Sequence, residues 1–383
     1  MKVRIKDWLL NYLIPAVDFS DKNEHYKVIF ATYGENKKIL NGYKLIYPII
    51  DTLVLDERSY FLYLTFSQRC DNEYVQSYFV NEKLSLREFF FSLFLIDRKY
   101  FQDLFFIYKL YNSELAYSDL GNGKLKKHTK FYHFLKVFFV SRYFSVKYRS
   151  LIGPDVEKLY LTQYYNIRML GLVRACNLRG VKVLDVQHGY LGMDHAAYND
   201  ILSFNSSYKP NGFCVFDEGT AKYIKNLAGE SYLEITNWKH LKSFHRKPND
   251  IKKSKRVLYS LQWGIPIPDE LKEIVRNYEN VDWVFRRHPL ESKEREDMKE
   301  IVAMKHVMIE PPSINLVDSL LASDVHITWN SSLCLEAEQL GLISFFLSEH
   351  DKVRFVTDDG QEKKLIKYLS VSSYSSELDG LLK

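Results

Sequence analysis

Short apolar runs rich in Val, Ile and Phe alternate with helix-like segments along most of this chain, and the runs end in polar or glycine-containing residues. Such runs are typical of strands buried on both faces of a parallel sheet, with helices as the crossovers. The predicted strands are 26–32, 158–163, 181–186, 212–216, 233–236, 257–261, 281–285, 307–309, 325–328 and 343–347. We therefore expect an α/β protein with doubly wound parallel sheets.

The length of 383 residues exceeds what one hydrophobic core usually holds. Residues 237–256 are polar and basic without apolar periodicity, which is typical of a linker. This predicts an amino-terminal domain over 1–245 and a carboxyl-terminal domain over 246–383. Residues 84–150 are crowded with Phe, Tyr and Leu at helical spacing, so we expect two or three helices inserted into the first domain.

Net charge and cysteine content argue against several classes of protein, namely nucleic-acid-binding, disulfide-rich and cysteine-ligated metal proteins. A net charge of +5 is too small to argue for a nucleic-acid partner. The cysteines show neither a disulfide pattern nor a metal-ligand spacing, so a cytoplasmic, reducing environment fits best. They are Cys70, Cys176, Cys214 and Cys334. We recognise no export signal and no run long enough to span a bilayer.

A group of polar residues follows the strand 181–186, at the edge where doubly wound sheets bind ligands. It comprises Gln187, His188, Gly189 and Tyr190, with Asp194 and His195 close behind. A histidine of near-neutral pKa can act here as a general base or bind a substrate anion. The alternative is a loop histidine with structural contacts alone. No recognised ligand spacing is present, so we expect no metal site.

Asp217 and Glu218 follow the next predicted strand. They could supply a catalytic carboxylate. A carboxylate at a helix start, stabilised by the helix dipole, is the favoured interpretation.

The carboxyl-terminal domain has polar residues after two strands. They are Arg287, His288 and Pro289 after 281–285, then Asn330, Ser331 and Ser332 after 325–328, with Glu336 in the following helix. We expect these strand ends to be adjacent. A guanidinium, an imidazole and the amides of a helix start suit a nucleotide phosphate. A serine helix cap and a surface histidine would explain each piece separately, but the two together favour the phosphate site.

The order of these motifs resembles bacterial GT-B glycosyltransferases that build capsule and lipopolysaccharide. The motifs are QHG at 187–189, RHP at 287–289, SS at 331–332 and EA at 336–337, followed by Gly341. The most similar groups are CMP-sugar-using sialyltransferases and Kdo transferases, and the CDP-glycerol glycerophosphotransferases are more distantly similar. The resemblance covers about residues 158–347 and implies two Rossmann-like domains whose parallel sheets face across a cleft.

The resemblance also implies roles for individual residues. His288, Pro289, Ser331 and Ser332 would hold the nucleotide phosphate, and we add Arg287, Asn330 and Glu336 to this predicted site. The related sialyltransferases have an acidic motif supplying the base where this chain has QHG. Two assignments therefore stay open: His188 as the base of an inverting enzyme, or Asp217, with Asp194 behind it, as the nucleophile of a retaining one. Gln187, Gly189, Tyr190 and His195 would contact the acceptor.

We therefore expect a glycosyltransferase that moves a sugar from a nucleotide donor to a bacterial surface-polysaccharide acceptor. CMP-ulosonic acids such as CMP-Kdo or CMP-sialic acid are the favoured donors, and no further cofactor is expected. No Asp-x-Asp pair follows an apolar strand, so the metal motif of GT-A transferases is missing from the sequence. The alternatives are a CDP-alditol phosphotransferase and a non-catalytic nucleotide-sugar-binding protein of the polysaccharide assembly complex.

Residues 124–150 contain eight Lys or Arg and no acidic residue, interleaved with aromatic residues. A basic aromatic helix can lie on the inner face of an anionic membrane, where a lipid-linked acceptor would be found. An equally weighted alternative is a domain helix with a buried aromatic face and a solvated basic face. RNA binding is a weaker third interpretation, because no RNA-binding module pattern accompanies the stretch.

Overall fold

The structure is a computed structural model of the chain, and it divides into two compact units, Met1–Asn237 and Trp238–Lys383. The predicted domain boundary, between 245 and 246, lies outside the described residues. The described residues are 27–32, 38–40, 43–45, 61–65, 77–79, 99–122, 127–149, 152–189, 191, 195, 197–229, 231–238, 241, 244, 255–262, 264–288, 291, 295–311, 313–349, 364–370 and 378.

The first unit contains a seven-stranded sheet in which all neighbouring strands are parallel. Its strands are β1 (Val28–Thr32), β4 (Phe61–Thr65), β5 (Ser77–Phe79), β6 (Lys158–Leu161), β7 (Lys182–Val186), β8 (Gly212–Val215) and β9 (Tyr232–Ile235). An antiparallel pair, β2 (Lys38–Leu40) and β3 (Tyr43–Leu45), is separate from it. The order β5-β4-β1-β6-β7-β8-β9 reverses direction between β1 and β6, as in Rossmann-like sheets.

Four described helices accompany this sheet. They are α1 (Tyr100–Asn122), α2 (Lys127–Tyr148), α3 (Ile167–Asn177) and α4 (Glu218–Ala228), and a 3-10 turn covers Asp200–Ser203. The first two confirm helices within 84–150, of which 84–98 lie outside the described residues. The stretch SDLGNGK at 118–124 is typical of a turn, but helix α1 continues through 118–122. A single glycine at position 121 costs a helix only about 1 kcal/mol, which the helix tolerates.

Helices α2 and α3 cross closely at Gly171. A Cβ at this position would lie 2.5 Å from the Phe144 Cβ and 2.9 Å from the Ser141 carbonyl oxygen. Only glycine leaves room for the neighbouring backbone here. The crossing buries Phe144 together with Met169, Leu170 and Leu172 in the core of the first unit.

A buried ion pair fixes α1 against its neighbours. The Asp103 carboxylate lies 3.3 Å from Arg174 Nε of α3. It also accepts hydrogen bonds from the Ser206 hydroxyl at 2.9 Å and from the Ser207 hydroxyl at 2.6 Å. Arg174 donates a further bond to Ser145 Oγ of α2 at 3.0 Å. Since these partners satisfy a carboxylate that is fully buried, the network determines how α1 is rotated about its axis.

The aromatic residues in the described part of α2, from Phe134 onwards, pack in the core. Phe134, Phe138, Tyr143, Phe144 and Tyr148 are all buried. The Arg142 side chain is buried too, with its guanidinium over the Tyr100 ring at 5.0 Å. These rings are therefore withheld from a membrane surface, as the domain-helix interpretation requires. Membrane contact through 124–150 stays a prediction.

The second unit contains a six-stranded parallel sheet with the order β12-β11-β10-β13-β14-β15. Its strands are β10 (Lys255–Ser260), β11 (Val281–Arg286), β12 (Val307–Ile309), β13 (Val325–Thr328), β14 (Ile343–Phe346) and β15 (Ile366–Tyr368). The order again reverses, between β10 and β13. The α/β fold with two parallel, Rossmann-like sheets is confirmed.

The helices of the second unit are short. They are α5 (Asp269–Asn277), α6 (Lys299–Val302), α7 (Leu316–Leu321) and α8 (Leu333–Gln339), with a 3-10 turn at Glu296–Met298. The charged sequence predicts one helix over 291–302. In the described residues the α-helix is limited to Lys299–Val302, because Arg295 and Asp297 bind backbone groups of the loop that follows β10, and 292–294 lie outside the described residues. No helix in the described part of the chain is long and apolar enough to cross a membrane.

Candidate functional site

Gln187 joins the carboxyl ends of two strands in the first unit. It directly follows β7 and is almost fully buried. Its side-chain carbonyl accepts the Phe216 backbone N–H at 2.8 Å, and its amide donates to the Gly189 carbonyl at 2.9 Å. Both ends of the side chain are therefore engaged within the protein. Gln187 was predicted to contact the acceptor, but its geometry instead positions the loop that carries His188.

His188 lies half-buried at the tip of this loop. Its Nε2 atom lies 3.4 Å from the Tyr165 hydroxyl, which belongs to the segment following β6. Burial and then the nearby His195 lower the pKa of His188 to about 4, although the Val186 backbone raises it. At neutral pH the imidazole is therefore uncharged, which is the state that a general base needs before it accepts a proton.

His195 lies beside His188 in an aromatic cluster. Its ring centroid is 5.3 Å from that of Tyr165 and 4.6 Å from that of Tyr198. The Ala197 backbone N–H donates to His195 Nδ1 at 3.2 Å, so the neutral ring carries its proton on Nε2. The structure thus brings together two of the predicted residues, His188 and His195. Two others, Tyr190 and Asp194, lie outside the described residues.

Asp185 was missed by the sequence analysis. It lies on β7, fully buried, and accepts hydrogen bonds from the Tyr198 hydroxyl at 2.6 Å and from the Tyr164 backbone N–H at 3.3 Å. Burial raises its pKa to about 7, while both hydrogen bonds act in the opposite direction. Because Asp185 lies within an apolar strand, nothing in the sequence indicated that it is a buried acceptor of hydrogen bonds from Tyr198 and Tyr164. The Tyr164-Tyr165 pair at a strand end was a visible signal, and the prediction did not use it.

Asp217 is the N-cap of α4. Its Oδ1 atom accepts a hydrogen bond from the Thr220 backbone N–H at 2.8 Å. The Ala221 backbone N–H donates to the Asp217 carbonyl oxygen, which is the first hydrogen bond of the helix. Sequence reasoning favoured this structural role, and the geometry agrees with it. The neighbouring Glu218 is exposed in the first turn.

In the second unit, the two predicted phosphate-binding segments are not on adjacent strands. Strand β10 lies between β11 and β13, and its Ser260 pairs with Arg286 on one side and Thr328 on the other. The expectation of adjacent strand ends was therefore wrong, because the order of strands depends on long-range pairing. Neighbouring strands are about 4.8 Å apart, so a ligand that touches both segments must cross the end of β10 over about 10 Å.

His288 lies half-buried two residues beyond β11. Burial lowers its pKa, and the nearby Glu291 carboxylate partly offsets this effect. A neutral imidazole can donate a hydrogen bond to a ligand but carries no positive charge. A phosphate bound beside it would stabilise the protonated form and raise the pKa of the imidazole. Arg287 is half-buried, and its Nε atom has no hydrogen-bond partner. Pro289 lies outside the described residues.

The segment after β13 leads into α8. Ser331 Oγ accepts the Leu333 backbone N–H at 3.3 Å, which is a local turn bond. Ser332 is the N-cap residue, but its side chain makes no capping hydrogen bond. Asn330 and Glu336 are half-buried. Asn330, Ser331 and Ser332 lie at the reversal between β10 and β13, which is the ligand-binding position of doubly wound sheets.

The loop after β10 also lies at the reversal of strand order between β10 and β13. Arg295 fixes this loop by hydrogen bonds to its backbone. Arg295 donates to the Gln262 carbonyl at 3.1 Å and to the Ile265 carbonyl. It also pairs with Glu291 at 3.0 Å and with Asp297 at 2.7 Å. This one guanidinium therefore connects the loops that follow β10 and β11. The sequence showed no signal of it, because the contacts join distant parts of the chain.

Metal ligation has no geometric support in the described part of the chain, where no three His, Cys, Asp or Glu side chains are grouped as metal ligands would be. The candidate residues described in the two units carry imidazole, hydroxyl, amide and guanidinium groups.

No family model matches the sequence, and no curated protein matches it. Solved structures share its fold. A putative UDP-N-acetylglucosamine 2-epimerase from Listeria monocytogenes has a TM-score of 0.53 at 10% identity, covering 92% of this chain and 88% of that one. The UDP-GlcNAc 2-epimerase from Methanocaldococcus jannaschii has a TM-score of 0.51 at 11% identity, covering 93% and 92%. The calicheamicin glycosyltransferase CalG4 has a TM-score of 0.50 at 10% identity, covering 94% and 90%. The chain therefore has the GT-B fold that glycosyltransferases and UDP-GlcNAc 2-epimerases share.

Proposed function

We propose that this protein is a glycosyltransferase that uses a nucleotide-activated sugar without a metal ion. In this proposal a CMP-ulosonic acid is the donor and a bacterial surface polysaccharide is the acceptor. The donor nucleotide binds the second unit, and the acceptor binds the first unit near His188. The donor class rests on the motif resemblance, and the reaction class rests on that resemblance together with the fold.

The observation that carries the proposal is the placement of His288 beside the reversal of the second sheet. It follows β11, next to β10, while Asn330, Ser331 and Ser332 follow β13 on the other side of β10. Backbone amides, hydroxyls and an imidazole around the end of β10 suit a nucleotide phosphate. When the sugar leaves, negative charge grows on that phosphate, and donors already aimed at it lower the barrier.

The chemistry at the acceptor is assigned to His188. With its pKa lowered to about 4, the imidazole is neutral at pH 7 and able to accept the proton of an acceptor hydroxyl, although it is a weaker base than an ordinary histidine. Asp217 is less suited to act as a nucleophile, since one of its oxygens already caps α4. The proposal therefore includes inversion at the transferred carbon, with the acceptor oxygen forming the new bond and the nucleotide leaving with its phosphate.

A thermal-shift comparison of CMP, CDP, UDP and GDP tests the donor class. A nucleotide present at about 100 times its Kd stabilises the folded state by about 2.7 kcal/mol, which raises the melting temperature measurably. CMP should give the largest shift, and His288→Ala should remove it. A shift with UDP alone would contradict the CMP assignment. Release of free sugar from the matching donor then separates an enzyme from a non-catalytic binding protein, and release of CMP from a CDP-alditol would indicate phosphotransfer.

Epimerisation is a second candidate function, because the solved structures of similar fold include UDP-GlcNAc 2-epimerases. In that case UDP would give the thermal shift, and no acceptor would be needed. Incubation with UDP-GlcNAc, followed by NMR of the sugar C2 proton, detects the reaction directly. Conversion of the sugar at C2 in the absence of acceptor would replace the transferase proposal.

A further inference from the structure

Helix α1 exposes three aromatic side chains along one face. Phe101 is 77% exposed, Phe105 is 46% exposed and Tyr108 is 44% exposed. Their spacing of four and three residues places them on one stripe of the helix. Large apolar side chains grouped in this way on a surface mark an interaction site more often than single exposed residues do.

The orientation of this stripe is determined by the core. The opposite face of α1 carries Asp103, Phe106, Ile107 and Leu110, and all four are buried. The ion pair of Asp103 with Arg174 holds that face inward. Rotating α1 to bury the stripe would expose three apolar side chains and leave Arg174 without its buried carboxylate. The aromatic stripe is therefore a stable feature of the surface.

Among the residues that the structure describes around the stripe, the charge is mainly basic. Lys99 and Lys109 are exposed, and the Lys109 ammonium lies 5.5 Å from the centroid of the Phe105 ring. Helix α2 packs beside the stripe through the Tyr108–Phe134 ring contact, has no acidic residue and exposes Lys136. The 3-10 turn that contacts α1 adds one exposed acid, Asp200. Basic side chains therefore outnumber acidic ones among the exposed residues described here.

We propose that the Phe101–Phe105–Tyr108 stripe of α1 docks the protein on an anionic lipid bilayer. Aromatic side chains enter the boundary between headgroups and acyl chains, while lysines beside them attract anionic headgroups. A second copy of the chain is a poorer occupant, because pairing two stripes would bring the lysines of both copies together. This proposal does not depend on the transferase activity, and it differs from the sequence expectation, which assigned membrane contact to 124–150.

Flotation with lipid vesicles tests the proposal on the full chain. Vesicles of phosphatidylglycerol mixed with phosphatidylcholine should bind the protein, and vesicles of phosphatidylcholine alone should bind it less. Phe101→Ser combined with Phe105→Ser should reduce binding about tenfold or more, because each phenyl ring loses its burial in lipid. Lys99→Gln and Lys109→Gln should each reduce binding to the anionic vesicles about fivefold. Met308→Ser is the matched control, since Met308 is 45% exposed in β12 of the other unit.

Circular dichroism and thermal melting should show that the serine double variant remains folded, because Phe101 is largely exposed and Phe105 is about half exposed. Parent protein that fails to float, or a double variant that floats like the parent, overturns the proposal. Loss of binding only when Lys126, Lys127, Lys130 and Lys136 are changed to Glu would restore the assignment to 124–150. If light scattering shows a dimer that the double variant cannot form, the stripe is a protein interface instead.

Discussion

The side-chain carbonyl of Gln187 accepts the backbone N–H of Phe216 at 2.8 Å, which connects the ends of β7 and β8. The same side chain donates to the Gly189 carbonyl, so it also fixes the turn on which His188 lies. A glutamine at this position therefore does two tasks: it satisfies a buried backbone group and it sets the position of the candidate base.

Replacing Gln187 by Leu should lower the free energy of unfolding by about 1 to 3 kcal/mol, because the buried Phe216 N–H loses its partner. Urea denaturation measures this change. Gln339→Leu is the matched control, since Gln339 is exposed on α8 and should change stability by less than about 0.5 kcal/mol. Equal stabilities for the two variants would show that Gln187 has no such structural role.

The fold class was predictable because each buried strand is a short apolar run of its own. Strands 181–186, 281–285 and 325–328 match β7, β11 and β13 to within one residue. Local composition does not encode which strands pair, so the position of β10 between β11 and β13 was not predictable. The same reason explains Arg295, whose partners are distant in the sequence.

For the candidate residues of each unit, the sequence indicated position better than contacts. Strand ends in parallel sheets show which residues reach the carboxyl edge of a sheet, and His188 and His288 do follow β7 and β11 there. Side-chain partners need the folded structure. The sequence predicts an acceptor contact for Gln187 because it cannot show the Phe216 N–H as a partner, and it allows two interpretations of the α2 aromatic residues, of which burial of those from Phe134 onwards favours the domain helix.

The buried His326 leads us to predict that the free energy of unfolding falls in acid. It is fully buried on β13 between the Ser260 and Ser344 hydroxyls, each 3.0 Å from a ring nitrogen. Burial lowers its pKa from 6.5 to about 3. As the pH falls from 6.5 towards 3, the unfolded chain gains a proton that the folded chain does not. Folding stability should therefore fall, by up to about 1.4 kcal/mol per pH unit from this group.

The variant His326→Gln isolates that effect, because it keeps a donor and an acceptor but has no proton to gain. Urea denaturation of parent and variant at several pH values between 4 and 7 gives the difference in slope. Asp185 acts in the opposite direction, since its pKa is raised from 3.8 to about 7 and the folded state therefore gains the proton first. It acts equally in both proteins and cancels. Parallel stability curves would contradict the prediction.

His288→Ala should weaken donor use. If the imidazole faces the leaving phosphate, its removal should cost about 2 to 4 kcal/mol of transition-state stabilisation, measured as a fall in kcat/KM. His306→Ala is the matched control: His306 lies at the amino edge of the same sheet, where its Nε2 is 2.7 Å from the Val275 carbonyl oxygen. The control should keep its kcat/KM when it is folded. An unchanged kcat/KM in folded His288→Ala would remove His288 from the site.

The last prediction decides between His188 and Asp217 as the residue that does chemistry, and the Asp217 cap makes a clean variant possible. Asparagine is as good an N-cap as aspartate, so Asp217→Asn should keep α4 and the fold while removing the carboxylate. Asp217→Ala should instead destabilise the protein by about 1 kcal/mol. A base with its pKa near 4 also predicts that kcat/KM falls in acid near pH 4 rather than near 6.5.

If His188 is the base, Asp217→Asn should transfer sugar at close to the parental rate, and His188→Ala should be inactive although folded. Mass spectrometry of the intact protein after incubation with donor alone should then show no added sugar, because inversion forms no covalent intermediate. A retaining mechanism requires the opposite pattern: an inactive Asp217→Asn and a sugar adduct that maps to Asp217. Since a carboxylate that caps a helix has one oxygen occupied, we expect the first pattern.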